Sequence, residues 1–444
     1  MYLTISSVLY ATFGSYRSWA ALSLIALLAP LGLLYCPLFR KVYAANSTAP
    51  LILLSACLCL FSLILGLTNS LMYCENPLSN RMINACGLCA FPLGIGILIT
   101  LIHSKGRNHI LALRLLIILC AGVLLAGKVF VIFASPKPHI DVYYILQEAT
   151  RALFAGENPY RATYTAIYPP GTYLPRLFYF PVTVALLAPF RCAFGDIRTC
   201  SIFFDLVCAC MLYRIATVHG MARGDSYPKL AAPLLALVYL ANPLSFFVLE
   251  QAWTEPISAG LLCVAIYLIC RGSQRAGTIV LGIFFAAKQY NLILLPFVFL
   301  LENGGKKILV VSMIVLITIL PYLIASPKQF LHSTVMHHLK LGSRPDALSL
   351  ESLLFNRYGT HIPPAISLLL ILSLLILLLL IEDRSIVGFL RASVTVSFCA
   401  LLVLKNAFCN YYYFVSAQMI FLMLLCLIPE RSRCAYALSP DRLR

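Results

Sequence analysis

Residues 363–381 read PPAISLLLILSLLILLLLI, a run without one charged side chain. A helix needs roughly 20 predominantly apolar residues to cross the hydrocarbon core of a membrane. About thirteen apolar blocks of similar length occur along the chain. The strands of a membrane β-barrel would instead alternate apolar and polar residues over short segments. The sequence therefore predicts helices that span a membrane.

The overall composition points to the same class of protein. Hydrophobic residues make up 61% and charged residues 11% of the 444 residues, whereas soluble domains carry about 45–50% and about 25%. This balance excludes a cytosolic enzyme, a secreted disulfide scaffold and a disordered protein. We predict an all-α fold, a polytopic transmembrane helical bundle of about thirteen spans with two long exoplasmic loops.

The excess of basic residues has a membrane explanation. The chain carries 33 Lys and Arg against 16 Asp and Glu, a formal net charge of +17. The basic residues are scattered over short loops, where they face anionic lipid headgroups, and we predict no nucleic-acid partner. Most of the 17 cysteines fall inside apolar blocks, where a free thiol behaves as a small hydrophobe. We expect neither a metal ion nor a cofactor.

Two breaks between apolar blocks are much longer than the others, and they define the predicted organisation. Six blocks separate them, an even number, so both loops should emerge on the same side. Short basic turns occupy the other side, which the positive-inside rule makes cytoplasmic. We favour a bacterial plasma (inner) membrane with the functional loops on its exoplasmic face, and an endoplasmic reticulum membrane stays open as an alternative. The predicted segments are N-terminal transmembrane helices (1–133), a first exoplasmic loop with an interfacial helix (134–176), central transmembrane helices (177–325), a second exoplasmic loop (326–362), C-terminal transmembrane helices (363–428) and a basic cytoplasmic tail (429–444).

The first long loop contains the most informative pattern. Asp141 precedes the stretch 142–155, which predicts an interfacial helix closed by Gly156 at the C′ position. An aspartate at this point either caps the helix or acts as a general base that deprotonates an incoming hydroxyl. The two roles are compatible, because a helix N-terminus also orients the carboxylate.

The loop resembles a known group of enzymes through DVYY (141–144), ALFAGENPY (152–160) and YPP (168–170). This order is similar to the first exoplasmic loop of GT-C superfamily glycosyltransferases. The family it resembles most is glycosyltransferase family 87, the polyprenyl-phosphate-mannose-dependent α-mannosyltransferases. Looser similarities follow at Glu250-Gln251 with Glu255, at Ala287-Lys288, at SLES (349–352) and at NYYY (410–413).

The resemblance implies a GT-C-like membrane glycosyltransferase. Such an enzyme transfers a hexose, here mannose, from a polyprenyl-phosphate sugar to a glycolipid or glycan acceptor on the exoplasmic face, with inversion. Asp141 would be the general base, and membrane lipids would surround the site. The expected substrate-binding residues are Tyr143, Tyr144, Arg151, Tyr160, Tyr168, Glu250, Gln251, Glu255, Lys288, His337, Lys340 and Arg344.

Physical chemistry gives these residues both functional and ordinary structural roles. Cations of the second loop, Arg344 above all, could stabilise a leaving phosphate, or they could form a solvated basic loop. The tyrosines offer aromatic faces to sugars, or they anchor the chain at the interface. Lys288 lies in an apolar block, where a lysine is costly, so it either faces the site or extends to the interface. Glu255 either orients a hydroxyl or caps the next helix.

Three other functions stay open on the sequence alone. A polymerase or ligase of lipid-linked glycans would explain arginines in late loops, such as Arg344 and Arg357, but not the DVYY stretch. A secondary transporter would show paired broken helices in two related halves, whereas one suspect break occurs, near Pro243. A non-catalytic membrane protein is also possible, and the polar, ordered first loop weighs against it.

Overall fold

The computed structural model describes residues 1–35, 49–68, 71–102, 107–169, 175–220, 227–340 and 342–426. Within these ranges the chain is helical and contains no β-strand, which confirms the predicted all-α, polytopic class. The basic tail predicted for 429–444 lies outside the described residues.

In the N-terminal part of the chain, the described residues form four helices before the first of two long ones. Gly66–Thr68 forms a 3₁₀ turn after the fourth helix. The helices, numbered as they occur in the described residues, are α1 (Tyr2–Thr12), α2 (Ser18–Ala26), α3 (Leu28–Leu33), α4 (Ala49–Leu65), α5 (Pro77–Ile102) and α6 (Arg107–Ala134).

The middle of the chain has described helices of 7 to 23 residues and includes the first loop. A helix over Asp141–Phe154 is followed by Gly156 with φ +74°, so the helix and the glycine that closes it are confirmed. The helices are α7 (Asp141–Phe154), α8 (Pro181–Phe194), α9 (Arg198–Gly220), α10 (Tyr227–Leu240), α11 (Leu244–Glu250), α12 (Glu255–Cys270) and α13 (Gln274–Ala287).

The last part begins with a long 3₁₀ helix, Gln289–Leu300, and includes the second loop with a π-helical turn at His332–Met336. The helices are α14 (Gly304–Ala325), α15 (Pro327–Leu331), α16 (His337–Lys340), α17 (Leu350–Tyr358), α18 (Pro364–Ile381), α19 (Ile386–Val403) and α20 (Cys409–Cys426).

Six of the described helices are long and apolar enough to cross a membrane, and a bent pair makes a seventh by length and composition. They are α5, α6, α14, α18, α19 and α20, with α10 and α11 as the bent pair. The remaining described apolar helices are shorter, 10–17 residues, so about thirteen apolar blocks do not all form helices of full spanning length. The long helices differ in burial. In α20, 83% of the 18-residue apolar stretch is buried inside the protein, whereas in α14 only 6% of such a stretch is buried. Helix α20 is therefore central, and α14 exposes its apolar surface.

The block 277–301 is not one span. Its helix ends at Ala287, Lys288 adopts an extended conformation (φ −147°, ψ 133°), and a 3₁₀ helix continues from Gln289. Non-helical backbone at membrane depth survives only where the protein itself or a watered cavity surrounds it. The break at Lys288 therefore lies against protein, as the burial of Lys288 confirms.

The segment around Pro243 is broken, as the polar residues after it indicate. Helices α10 and α11 meet at an angle of 47°, and a second turn follows α11 before α12 begins at Glu255. Ala252 in that turn has φ +53°, a left-handed conformation that costs an L-residue about 1–2 kcal/mol. The contacts around this turn must stabilise it. The carboxylates of Glu250 and Glu255, at its two ends, supply several of these contacts.

The deepest polar contact joins α6 to α9. Lys128 Nζ lies 2.6 Å from Asp205 Oδ2, and their side chains are 0% and 1% exposed. Asp205 Oδ1 also accepts hydrogen bonds from the hydroxyls of Tyr239 at 2.8 Å and Tyr413 at 3.1 Å. A buried charge is tolerable only when it is paired and hydrogen-bonded, so this network holds α6, α9, α10 and α20 in one arrangement.

We predict that Lys128→Met lowers the free energy of unfolding by about 3–5 kcal/mol, because Asp205 would remain as a buried charge without its cation. The double variant Lys128→Met/Asp205→Asn removes both charges and should recover most of that loss. Thermal unfolding of the purified protein in detergent measures both variants. A double variant no more stable than the single one would contradict this assignment.

Candidate functional site

The two long loops contact each other directly at one end of the bundle. Asn158 Nδ2 donates a hydrogen bond to Ser326 Oγ at 2.9 Å, and the Arg161 guanidinium donates to the carbonyl of Ala325. These contacts join the turn after α7 to the end of α14. The side chains of both loops are thereby placed around one region.

Tyr160 belongs to this junction between the loops. Its hydroxyl donates to the Tyr179 carbonyl at 2.7 Å, and its ring packs edge-on against Tyr322 and Phe330, with centroids 5.3 and 4.7 Å away. It is 6% exposed. Tyr160 therefore packs inside the loop junction, and its contribution to a site is to position Tyr179.

Asp141 is the first residue of α7, and Ile140 occupies the N-cap position. The interpretation of Asp141 as the helix cap is therefore wrong. Tyr168 lies near Asp141. Burial, the larger cause, and the negative charge of Asp141, the second, together raise the pKa of the Tyr168 hydroxyl to about 12. Arg344 of the second loop also lies within electrostatic reach of both side chains. Three predicted site residues, Asp141, Tyr168 and Arg344, are thus brought together.

Tyr143 faces the protein from the first turn of α7. Its hydroxyl donates to the Pro136 carbonyl at 3.1 Å, and the Arg198 guanidinium lies 5.0 Å from its ring centroid. Arg198 is held in turn by Asp196 at 2.7 Å. Tyr144 packs edge-on against Tyr143 with centroids 5.4 Å apart. These two tyrosines attach α7 to the start of α9.

Arg151 is exposed near the end of α7. A helix rises 1.5 Å per residue, so Arg151 lies about 15 Å along the axis from Asp141. Glu148, one turn before it, accepts hydrogen bonds from the backbone and hydroxyl of Thr165. The structure does not bring Arg151 together with Asp141.

Glu250, at the end of α11, is fully buried and bound by three donors. Its Oε2 accepts from the Met72 amide at 2.8 Å, and its Oε1 accepts from the Tyr73 amide at 2.8 Å and the Ser135 hydroxyl at 2.7 Å. The carboxylate thereby joins the broken helix to the chain before α5 and to the end of α6. Glu250 is a structural anchor. The adjacent Gln251 is 2% exposed, and its Nε2 has no hydrogen-bond partner.

Glu255 and Lys288 form a buried ion pair at the two backbone breaks. Glu255 is 0% and Lys288 6% exposed, and Lys288 Nζ donates to Glu255 Oε1. The same oxygen accepts from Asn410 Nδ2 at 2.7 Å. The rings of Tyr179 and Tyr411 lie close to the ammonium, with centroids 5.5 and 5.3 Å from Nζ. We call Glu255, Lys288 and Asn410 the Glu255 cluster.

The second loop lies next to this cluster through Phe178. The imidazole of His337 stacks on the Phe178 ring with centroids 4.1 Å apart, and Gln289 donates to the Phe178 carbonyl. Burial and then the positive charge of Lys288 lower the pKa of His338, which places that histidine near the ammonium. The backbone of Lys340 belongs to α16, but its side chain lies outside the described residues.

Two further side chains, Arg344 and Glu351, order the second loop. Arg344 makes an exposed ion pair with Asp346 at 2.8 Å and covers the Phe408 ring at 5.0 Å. Glu351 is 2% exposed and accepts from the Ser343 hydroxyl at 2.6 Å and the Ile362 amide at 2.6 Å. Burial raises the pKa of Glu351, but these hydrogen bonds and that of His361 outweigh it and lower the value.

The structure groups the predicted residues into an outer set and an inner set. The outer set, at the loops, is Asp141, Tyr168 and Arg344, with His337 beside Phe178. The inner set is the Glu255 cluster. Sequence reasoning missed the cluster residue Asn410 as a ligand of Glu255, although NYYY was noted. It also missed Asp205, whose position as a lone acid in an apolar block was a usable signal.

Residues 172–350 match the model of a protein family described as the GPI transamidase subunit PIG-U. The matched segment covers less than half of the chain and includes Asp205, Glu250, Glu255 and Lys288. No curated protein and no solved structure matches the chain.

This comparison corrects the predicted activity. The prediction of a mannosyltransferase, or of any hexosyltransferase, is wrong, because the matching family is a transamidase subunit. The polyprenyl-phosphate sugar donor, family 87 and the bacterial inner membrane find no support either. The match is compatible with a GT-C-like membrane protein. The chain is an integral, multi-pass membrane protein.

The anchor role of Glu250 can be tested with an isosteric change. Glu250→Gln places an amide N–H₂ against the Met72 or Tyr73 amide, where no acceptor remains. A buried donor left without a partner costs about 1–3 kcal/mol. We predict that hydrogen exchange of the Met72 and Tyr73 amides speeds up about 10- to 100-fold, with the core amides of α20 unchanged. Ser135→Ala, which removes one donor and keeps the carboxylate, should have the smaller effect.

The stack of His337 on Phe178 should depend on pH. Burial, and then the positive charges of His338, His332 and Arg176, lower the pKa of His337 from 6.5 to about 4. Between these values the unfolded loop binds a proton that the folded loop rejects, so the stability of the loop falls as the pH drops. We expect one ¹³C-histidine NMR signal, absent in His337→Gln, to titrate well below pH 6.5. A midpoint at 6.5 or above would contradict the buried stack.

Proposed function

We propose that this protein is a membrane subunit of a GPI transamidase. A transamidase exchanges one amide bond for another, and in GPI anchoring the hydrophobic C-terminal tail of a protein is replaced by a glycolipid. The observation that carries the proposal is the PIG-U family match over 172–350. That segment contributes three of the four charged residues of the two buried networks described above, namely Asp205, Glu255 and Lys288.

The geometry supports a binding and scaffolding role within such a complex. Three carboxylates of the matched segment are at most 1% exposed, and each is held by partners. Asp205 is paired with Lys128, Glu250 accepts three hydrogen bonds, and Glu255 is paired with Lys288. A carboxylate neutralised by a buried cation is a poor general base, because the cation stabilises its charged form. These groups organise the protein, and another subunit would supply the nucleophile.

The membrane surface of the chain suits a subunit that meets lipids and apolar tails. Only 6% of the 18-residue apolar stretch of α14, and 17% of that of α18, is buried within the chain. The exposed side chains on these helices include Leu309, Met313, Leu316, Leu368, Leu369 and Leu380. Such surfaces contact lipid, other subunits, or the hydrophobic tail of a protein substrate. The loops at one end then face the headgroup region.

The proposal is tested by removing the chain from cells that carry a GPI-anchored reporter. We expect the anchored reporter to fall at least tenfold, while the unprocessed precursor with its hydrophobic tail and the complete glycolipid both accumulate. Immunoblotting follows the precursor, and metabolic labelling of lipids follows the glycolipid. Re-expression of the full chain with an affinity tag should restore anchoring and co-purify the other transamidase subunits.

The lipid readout separates this proposal from a role in making the glycolipid. An incomplete glycolipid that lacks a sugar, together with a low level of the complete one, would overturn the transamidase assignment. A matched control is Arg151→Gln, which changes an exposed charge on α7 outside both buried networks. This variant should restore anchoring as well as the wild-type chain does.

A further inference from the structure

Three polar atoms around Glu255 are buried and have no hydrogen-bond partner. They are Glu255 Oε2, Asn410 Oδ1 and the Tyr290 hydroxyl. Native proteins satisfy the great majority of buried polar atoms, so a group of unsatisfied ones calls for an explanation. Glu255 and Asn410 bond to each other, and Tyr290 is connected to them through Tyr411, whose ring lies 5.3 Å from Lys288 Nζ.

The contacts that position the three atoms are specific. Asn410 Nδ2 donates a hydrogen bond to Glu255 Oε1 at 2.7 Å, while Glu255 Oε2 and Asn410 Oδ1 have no donor. The Tyr290 ring packs on Tyr411 with centroids 5.1 Å apart and lies within electrostatic reach of Glu255. The hydroxyl of Ser397 is the neighbour of the Tyr290 hydroxyl, but the two do not complete a hydrogen bond.

The chemistry of these atoms favours a neutral ligand with hydroxyl groups. Carboxylate and amide oxygens accept hydrogen bonds, and a phenol both donates and accepts. The charge of Glu255 is already balanced by Lys288, so a cationic ligand would add an uncompensated charge to a buried site. A polyol can donate to the two oxygens and accept from the tyrosine. The flanking rings of Tyr179 and Tyr411 offer apolar faces to its C–H groups.

The cluster lies close to the surface at the end of the bundle where the loops meet. The Lys288 side chain is 7% exposed, and Tyr290 and Tyr411 are half-buried. Phe178, just after the first loop, and His338 of the second loop lie beside it. A headgroup held at the membrane surface can therefore approach the cluster by a small displacement of these half-buried side chains.

We propose that Glu255, Asn410 and Tyr290 bind hydroxyl groups of a glycolipid headgroup. This inference rests on the proposed function, since it names the part of the glycolipid that the subunit recognises. The binding forms no covalent bond: the sugar hydroxyls donate to Glu255 Oε2 and Asn410 Oδ1, and the Tyr290 hydroxyl donates to a sugar oxygen. Lys288 acts here as a positioning residue, because it orients the carboxylate.

Tyr290→Phe tests the proposal because it removes a hydroxyl that completes no hydrogen bond in the fold. The full-length variant is placed in nanodiscs, and binding of radiolabelled glycosylphosphatidylinositol is compared with binding of unglycosylated phosphatidylinositol. Loss of one hydrogen bond should weaken binding of the glycosylated lipid about three- to tenfold. Binding of the unglycosylated lipid should stay the same, and the melting temperature should be unchanged or higher.

Tyr2→Phe is the matched control with the opposite pattern. The Tyr2 hydroxyl bonds to Ser62 at 3.1 Å and donates to the Val238 carbonyl at 3.2 Å. Its loss should lower the melting temperature and leave the binding of both lipids unchanged. The pair of variants therefore separates a hydroxyl that binds ligand from one that supports the fold.

Several outcomes would overturn the headgroup site. Wild-type protein that prefers neither lipid, or a Tyr290→Phe variant that binds both lipids normally, would exclude it. An equal loss for both lipids would show that the site reads the phosphate or the acyl chains. Co-purification with the transamidase subunits is measured in parallel for both variants. If the subunits co-purify but Tyr290→Phe binds normally, the headgroup site fails alone; if they do not co-purify, the proposed function fails.

Discussion

The absence of water around a membrane-embedded chain is the constraint on which this structure depends. A charge that enters the bundle must find its counter-charge and its hydrogen bonds within the same chain. Lys128 meets Asp205 across 77 positions of sequence, and Glu255 meets Lys288 and Asn410 across 33 and 155 positions. Each contact brings distant helices into one arrangement. The polar residues, though few, determine how the apolar helices are placed.

The same constraint explains where the candidate site lies. Two interruptions of the helices, at Lys288 and in the turn with Ala252, expose backbone groups that a continuous helix would satisfy. Such breaks persist where neighbouring helices surround them. Helices α12 and α20 begin at this level, with Glu255 and Cys409 as their first residues. Helix ends, an ion pair and the two loops thus meet in one region, which is typical of binding sites in polytopic proteins.

The sequence predicts the secondary structure well, but it predicts poorly which polar side chains of distant helices contact each other. Long apolar runs such as 363–381 are unambiguous, and Gly156 ends a helix because only glycine adopts its φ of +74° without strain. The partners of Asp205 and Glu250 depend on which helices become neighbours, and no local pattern contains that information. The stretch DVYY (141–144) lies outside the matched segment 172–350. A short motif on a common architecture therefore gave the wrong activity, since function resides in sites and not in folds.

Glu250 has a consequence for the order in which this chain is made. Its carboxylate holds the amides of Met72 and Tyr73, which lie 178 and 177 residues earlier in the chain. At about 5–20 residues per second, a ribosome needs roughly 9 to 36 seconds to add that length. Helices α5 and α6 are synthesised during this interval, and the amides of Met72 and Tyr73 are without their Glu250 acceptor until it ends. The chain just before α5 can therefore take its final position only after the broken helix that ends at Glu250 has been synthesised.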